Sequence, residues 1–347
     1  MKTLKTAKKS HEAHLYEKIE DKKVRCRNCA YYCLILPKKR GICGVRGNQN
    51  GKLYTLNYGK AVACHIDPIE KKPFFHFLPG SHSLSIAAAG CNFSCQNCQN
   101  WDISQSPKPN KPVRGENLPP KEIIEAAKKN NLPSISYTYT EPAIFSEYAF
   151  DTMKLAKKVN LKNCWVTNGF LSKELFYLIF PYLDAANVDL KSFSDKFYIE
   201  HCNARLQPVL DTLVRMKEKN IWLEITTLVI PSLSDSAEMF ENIARFIKEK
   251  LGPETPWHIT QFSPTVSWKL QHLPATPIET LQMAYKIAKL NGLKYVYTGN
   301  VPGLPSEDTF CPKCGKLAID RTGFLVDRYD KNGKCLNCGS DLNLILN

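Results

Sequence analysis

From Ser83 onward the chain alternates short apolar runs with segments in which apolar residues recur every three or four positions. The runs 84–89, 134–140, 163–167, 186–190, 222–230 and 258–262 read as strands. Residues 120–129, 147–159, 237–251 and 278–290 read as amphipathic helices between them. Short, mostly apolar strands separated by helices predict a parallel sheet, because each return to the same edge needs a crossover.

Both flanks break this rhythm. Residues 52–58 alternate as an isolated strand, and residues 67–80 are crowded with proline and aromatic side chains, which predicts an ordered, non-helical cover. Near the carboxyl end, residues 323–327 again read as a strand. The expected organisation is an amino-terminal extension over 1–80, an α/β domain over 81–304 and a small module over 305–347.

A chain of 347 residues is long enough for a barrel of about 200–250 residues with appendages. No apolar run reaches the roughly 20 residues of a spanning helix, and residues 1–10 are basic without an apolar signal core. A cytoplasmic protein is expected. The fourteen cysteines fall in clusters rather than dispersed pairs, which points to metal ligation in a reducing compartment. Of the net charge of +14, residues 1–50 carry thirteen Lys/Arg against four Asp/Glu. That end can steer an acidic protein or an RNA, or can be a solvated basic face.

Three cysteine groups stand out. Cys91, Cys95 and Cys98 form a C-x3-C-x2-C loop directly after the first strand. Three thiolates there can hold three corners of a [4Fe–4S] cube and leave one iron open to substrate or cofactor, although a zinc loop with a distant fourth ligand has similar spacing. Cys26, Cys29, Cys33 and Cys43 make a four-ligand knuckle whose spacing suits either zinc or an auxiliary iron–sulfur cluster. Cys311, Cys314, Cys335 and Cys338 are two C-x2-C hairpins, the ligand set of a zinc ribbon, with an iron–sulfur site as the alternative. Cys64, Cys164 and Cys202 belong to no motif and are expected to be small buried side chains.

Polar residues interrupt the apolar strands near their ends: Thr140 and Glu141, Thr167 and Asn168, Asp189 and Lys191, Glu224, His258, and Asn300. Buried polar groups need partners, so together they suggest one polar ligand over the carboxyl edge of the sheet. His258 is included among the candidate cofactor contacts. His76 and the Lys71, Lys72 pair are weighed equally as site residues and as packing or surface charge.

The loop Gly90-Cys…Cys98-Gln-Asn-Trp101, with Tyr139-Thr-Glu-Pro142, Val166-Thr-Asn-Gly169 and Asp189-Leu-Lys191, resembles the glycyl-radical-enzyme activases of the radical S-adenosylmethionine (SAM) superfamily. Adding Arg40-Gly-Ile-Cys-Gly-Val-Arg46, Asp67-Pro-Ile-Glu-Lys-Lys-Pro73 and Gly299-Asn-Val-Pro-Gly303, nearly the whole chain resembles the radical SAM member of the AmmeMemoRadiSam system. That resemblance implies a partial (βα)6 TIM-type barrel. It also implies a cluster at Cys91, Cys95 and Cys98 whose free iron chelates SAM, with reductive cleavage to methionine and a 5′-deoxyadenosyl radical. Thr140 and Glu141 would meet the SAM amino group; Thr167, Asn168, Asp189 and Lys191 would meet its methionyl and ribose parts. Asn97 stands where an aromatic residue commonly touches adenine, so stacking would fall to Trp101 or Phe93. Val166 replaces an activase aspartate, so the cation site using that carboxylate is not implied.

The resemblance further implies a low-potential donor of ferredoxin or flavodoxin type, Memo-type and AMMECR-type partners, and a peptide or protein substrate. Modification of an RNA base is the alternative reaction. A noncatalytic metal-knuckle scaffold for nucleic acid or protein is the alternative of another class.

Overall fold

The computed structural model describes residues 11–108, 111–301 and 303–346. The basic stretch 1–10 and Pro302 of the Gly299 to Gly303 motif lie outside them. Eight strands of the main sheet are labelled here: β1 (Lys60–Pro68), β2 (His82–Ala88), β3 (Ser134–Tyr137), β4 (Lys162–Thr167), β5 (Ala185–Asp189), β6 (Trp222–Val229), β7 (Trp257–Gln261) and β8 (Val296–Gly299). They run in the spatial order β8-β7-β6-β5-β4-β3-β2-β1, and the two-residue strand Glu116–Asn117 completes the β1 edge. From β2 to β8 every pairing is parallel, whereas β1 lies antiparallel on β2. The six expected strands are therefore joined by β8, the segment ending at Asn300, as a seventh parallel member.

Helices α1 (Pro120–Lys129), α2 (Ser146–Lys158), α3 (Lys173–Ile179), α4 (Gln207–Glu218), α5 (Ala237–Phe246) and α6 (Ile278–Leu290) each connect successive parallel strands. Their ends follow local chemistry. Pro120 opens α1, where a missing N–H costs nothing, and Lys128 and Lys129 sit in its last turn against the negative end of the helix. Ser172 and Ser236 cap α3 and α5 by accepting from Leu175 N and Met239 N. Past Phe246 the helix widens to a π turn at Ile247–Leu251 and stops at Gly252. All four residues of β3 and four of the five in β5 are buried, as expected for strands covered on both faces. No helix among the described residues is long and apolar enough to cross a membrane.

The cover at 67–80 is non-helical apart from the single 3-10 turn Ile69–Lys71. Phe74 and Phe77 pack on Cys164 and Ala185, while the Glu224 carboxylate accepts from Phe75 N (2.8 Å) and His76 N (2.9 Å). Because β1 belongs to the main sheet, a boundary at residue 80 would cut through that sheet; the extension proper precedes Lys60. The carboxyl-terminal module, with strands Thr309–Phe310, Leu317–Thr322 and Leu325–Arg328, docks on the same cover. Leu78 N donates to Ile345 O (2.7 Å), Ile345 N to His76 O (2.8 Å), and Arg321 both donates to Phe75 O (2.8 Å) and lies over the Phe75 ring.

The amino-terminal extension forms two small antiparallel sheets, Tyr16–Lys18/Val24–Cys26/Leu34–Ile35 and His11–Glu12/Lys52–Thr55/Arg46–Gln49. It is bolted to α2 by a buried ion pair. The Arg46 guanidinium donates to Glu147 Oε1 (2.5 Å), Ser146 Oγ (3.1 Å) and Ile144 O (3.3 Å), and His14 N donates to the same carboxylate oxygen. Both partners are buried; burial alone would raise the Glu147 pKa, but Arg46 holds it below the ordinary carboxylate value. Removing one partner strands the other charge out of water. Glu147→Ala is expected to destabilise the chain by about 3–5 kcal/mol, seen as a lowered thermal midpoint with retained helix content.

Gly90 joins β2 to the cysteine loop at φ +109°, and a β-carbon there would come within 2.9 Å of Val45 Cγ1 and 3.1 Å of the Cys43 carbonyl oxygen. The extension and the loop thus touch through a residue that has no room for a side chain. Gly90→Ala is expected to displace the loop and lower the iron bound on anaerobic reconstitution by at least half, measured against an unchanged carboxyl-terminal metal content.

Candidate active site

Parallel strands end on one edge of their sheet, so the residues following β2 to β5 are neighbours whatever their separation in sequence. The loop Cys91 to Cys98 leaves β2 at that edge and is pinned on several sides. Gly90 N donates to Ile103 O (3.0 Å), Ser94 N to Cys202 O (3.0 Å), Gln96 N to His201 O (2.9 Å) and Lys269 N to Gln96 O (2.8 Å). Phe93 is buried against Phe170 and Tyr198 and anchors the loop from below.

The strand ends meet this loop through hydrogen bonds. Asn168 Nδ2 donates to Asn92 Oδ1 (2.8 Å), and Asn100 Nδ2 donates to Tyr139 O (2.9 Å). Glu141, buried after β3, accepts from Ala143 N (3.0 Å) and Thr167 Oγ1 (2.8 Å) on one oxygen and from Asn168 N (2.8 Å) on the other. Burial pushes its carboxyl up to about 7 in spite of these donors. Thr140 Oγ1 donates to Ala88 O (2.7 Å) at the end of β2, and Tyr139 before it takes the left-handed conformation, φ +62°, that swings Thr140 and Glu141 under the loop. Asp189 and Lys191 pair at 2.8 Å. Burial would lower the Lys191 ammonium, but Asp189, Cys95 and Cys202 hold it well above its ordinary value.

Three thiols on one short loop, with two ammoniums beside them, fit a cluster. Two ammoniums offset their charge. Lys191 acts on Cys95, and Lys108, whose Nζ donates to Phe93 O (3.0 Å), Ser94 Oγ (3.4 Å) and Gln105 Oε1 (3.2 Å), acts on Cys91. Without metal, burial raises the Cys91 and Cys98 thiols, and Cys202, within hydrogen-bonding reach, raises Cys95 first of all.

Asn97 is half-buried on the loop. Of the two aromatic candidates for stacking, Phe93 is consumed by the core, while Trp101 is exposed and lies parallel to Trp268 at 6.3 Å. His258 does not join the set. Its Nε2 pairs with Glu224 Oε2 at 2.7 Å and its ring packs on Phe75 and Tyr297, so a buried histidine has taken a buried carboxylate as its partner. His76 is likewise enclosed, with Nε2 at 2.6 Å from Tyr297 Oη. Lys72 is buried, paired with Asp67 at 2.6 Å, and its ammonium lies over the Tyr139 ring, so it supports the strand end from beneath. Cys164 and Cys202 are buried as expected; Cys64 is exposed on β1. Lys108 carried no periodic or motif signal of its own, and Asn92 and Asn100, which stand inside the cysteine motif, are recognised as site residues only through their contacts.

Cys311, Cys314, Cys335 and Cys338 bring all four sulfurs within 4.8 Å, with Cys311 to Cys338 and Cys314 to Cys335 at 3.6 Å. Sulfurs about 2.3 Å from one tetrahedral ion stand about 3.8 Å apart, so this set could hold a single metal ion. Ser340 Oγ lies 3.0 Å from Cys311 and 3.1 Å from Cys338. Cys26, Cys29, Cys33 and Cys43 line one cavity together with Tyr31, Arg46 and Asn92.

A model of the radical SAM superfamily matches residues 85–247, the span from β2 to the end of the α5 region. The uncharacterized protein MJ0808 of Methanocaldococcus jannaschii is 44% identical over 338 residues, covering 96% of this chain and 99% of that one. Among solved structures, a domain of the pyruvate-formate lyase-activating enzyme from Bacteroides vulgatus ATCC 8482 aligns at 16% identity and TM-score 0.42, over 48% of this chain and 98% of its own. SuiB of Streptococcus suis, bound to the precursor peptide SuiA, aligns at 15% identity and TM-score 0.49, over 67% of this chain and 51% of its own. The chain belongs to one family with the Methanocaldococcus jannaschii protein and is an enzyme that carries a radical SAM superfamily domain over residues 85–247.

Proposed function

We propose that Cys91, Cys95 and Cys98 hold a [4Fe–4S] cluster with which this enzyme cleaves SAM reductively, and that it abstracts a hydrogen atom from a peptide or protein substrate. The observation that carries this reading is the junction of the cysteine loop with the strand ends: Asn168 on Asn92, Asn100 on Tyr139, and Glu141 beneath both Thr167 and Asn168. When bound, a reduced cluster with SAM supplies a 5′-deoxyadenosyl radical able to remove a hydrogen atom.

The residues of the chain orient that chemistry. Thr140 and Glu141 offer a hydroxyl and a carboxylate to the SAM amino group, Thr167 and Asn168 frame its methionyl part, and Asp189 with Lys191 offers a charged pair to its ribose. The apolar packing of Phe93, Phe170 and Tyr198 excludes water from beneath the loop. A partial barrel, formed by curvature of the open parallel sheet, would place the substrate over this edge. Zinc at Cys311, Cys314, Cys335 and Cys338 is supported by the 3.6 Å sulfur contacts. Membership of the AmmeMemoRadiSam system, with Memo-type and AMMECR-type partners, a ferredoxin or flavodoxin donor and a cytoplasmic setting, rests on the motif resemblance and the reducing character of the cysteine sets.

Anaerobic protein reduced with dithionite and given SAM is expected to form 5′-deoxyadenosine, with Cys95→Ala losing both cleavage and cluster iron. Cys202→Ala is expected to keep cleavage and iron, since Cys202 is only a neighbour of Cys95. An active Cys95→Ala protein, or iron lost with Cys202, overturns the three-ligand reading. Salt-sensitive tRNA binding with RNA-dependent cleavage would replace the peptide substrate.

Glu141 also sets a pH dependence. Its folded pKa, about 7, lies above the ordinary 4.5, so its ionisation costs native stability as pH rises between those values. The SAM ammonium needs the carboxylate form. SAM affinity is therefore expected to fall about fivefold from pH 7 to pH 6 in calorimetric titration, and Glu141→Gln to bind weakly with little pH dependence.

A further inference from the structure

The amino-terminal cysteines pose a question that their spacing in sequence leaves open. All four line one cavity, and Cys26, Cys29 and Cys43 are buried. Yet among the described residues no three of them meet the 4.8 Å grouping that the carboxyl-terminal set satisfies. Two four-cysteine sites in one chain thus differ in kind. One is drawn in to the size of a single ion, and the other lines a cavity that it shares with Tyr31, Arg46 and Asn92.

The walls of that space differ as well. Tyr31 Oη, Arg46 Nε and Asn92 Nδ2 all belong to residues that line it, and each is a buried hydrogen-bonding atom without a partner. Arg46 and Asn92 are at most 2% exposed. Buried unpaired donors are costly, so their gathering at one cavity points to an acceptor-rich, anionic occupant. Thiolates around one zinc ion can accept some hydrogen bonds, but a cluster adds bridging sulfides that accept more. Hydrogen bonds to these sulfurs tune its potential. By contrast, at the carboxyl-terminal set the Ser340 hydroxyl lies against Cys311 and Cys338.

The cavity also adjoins the catalytic loop. Asn92 follows Cys91 directly, Gly90 before it abuts the Cys43 carbonyl, and the Tyr31 ring lies 4.9 Å from that of Phe170. Ala30 N further donates to Phe170 O (3.3 Å), the residue that packs on Phe93 of the loop.

We propose that Cys26, Cys29, Cys33 and Cys43 ligate a second iron–sulfur cluster, set beside the catalytic loop, rather than a zinc ion. Its position rests on the reading of Cys91, Cys95 and Cys98 given above, but its existence does not. Tyr31, Arg46 and Asn92 act as positioning residues that donate to its sulfurs.

The test uses the full chain, reconstituted anaerobically with iron and sulfide, with iron, sulfide and zinc counted per chain. In the triple variant Cys91→Ala, Cys95→Ala, Cys98→Ala, iron and sulfide are expected to remain in equal amounts, with one zinc. In the double variant Cys26→Ala, Cys43→Ala, the remaining iron is expected to keep the SAM-dependent change in its electron paramagnetic resonance spectrum. Two zinc ions and no iron in the triple variant overturn the proposal while sparing the catalytic reading. Iron in the triple variant but no SAM response in wild type overturns the catalytic reading and spares this one. Should the double variant fail to fold, Tyr31→Phe keeps every ligand. It is expected to shift the second cluster to lower potential in a redox titration of the triple variant, and an unchanged potential removes Tyr31 from the proposed donors.

Discussion

A buried carboxylate cannot stay without donors, and in this chain that constraint assembles the site. Glu141 finds its partners in Ala143 N, Thr167 Oγ1 and Asn168 N, so the turn after β3 is tied to the turn after β4. Asn168 passes the connection to Asn92 of the cysteine loop after β2. Three successive strand ends are thereby fixed to one another by side chains, and the thiol loop inherits their position. The left-handed Tyr139 shows what this arrangement costs locally, since a bulky residue adopts that conformation only when its surroundings enforce it. Its hydroxyl is held by Asp67 and its carbonyl by Asn100.

Charge is arranged around sulfur in the same economical way. The net positive charge of the chain is largely at its amino-terminal end, but the cations that matter to the thiols are few and enclosed. Lys108 and Lys191 flank the Cys91 to Cys98 loop, and Arg46 stands at the amino-terminal cavity while its charge is balanced by Glu147. A buried cation beside thiols lowers the work of holding them as thiolates, and metal binding completes the exchange by displacing their protons. The carboxyl-terminal module is docked on the 67–80 cover, and its four thiols meet in two pairs at 3.6 Å.

The cover itself explains why polar residues in β6 and β7 do not reach the site. Glu224, His258 and His76 form a buried network with Phe75 and Tyr297, satisfied within the cover and the carboxyl-terminal module. The Glu224 carboxyl, which burial alone would raise, is held below its ordinary value by His258. This network joins chain segments far apart in sequence, so the 67–80 cover, the sheet and the terminal module form one docked unit.

By itself the sequence determined the alternation of strand and helix, the three cysteine sets and the polar strand ends, because each is written in local periodicity or spacing. Thr140, Glu141, Thr167 and Asn168 were legible for that reason: parallel strands must end on one edge. Only tertiary structure decided which polar residues share a partner. His258 and Glu141 look alike as polar residues on apolar strands, yet one is bound to a carboxylate at the cover and the other to the turn beside the thiols. Tertiary structure also decided that β1 completes the sheet, that Lys108 clamps the loop, and that one four-cysteine set draws its sulfurs together while the other lines a cavity with Tyr31, Arg46 and Asn92. Spacing along a chain limits how near two sulfurs can come, but packing and the donors around them set how near they are.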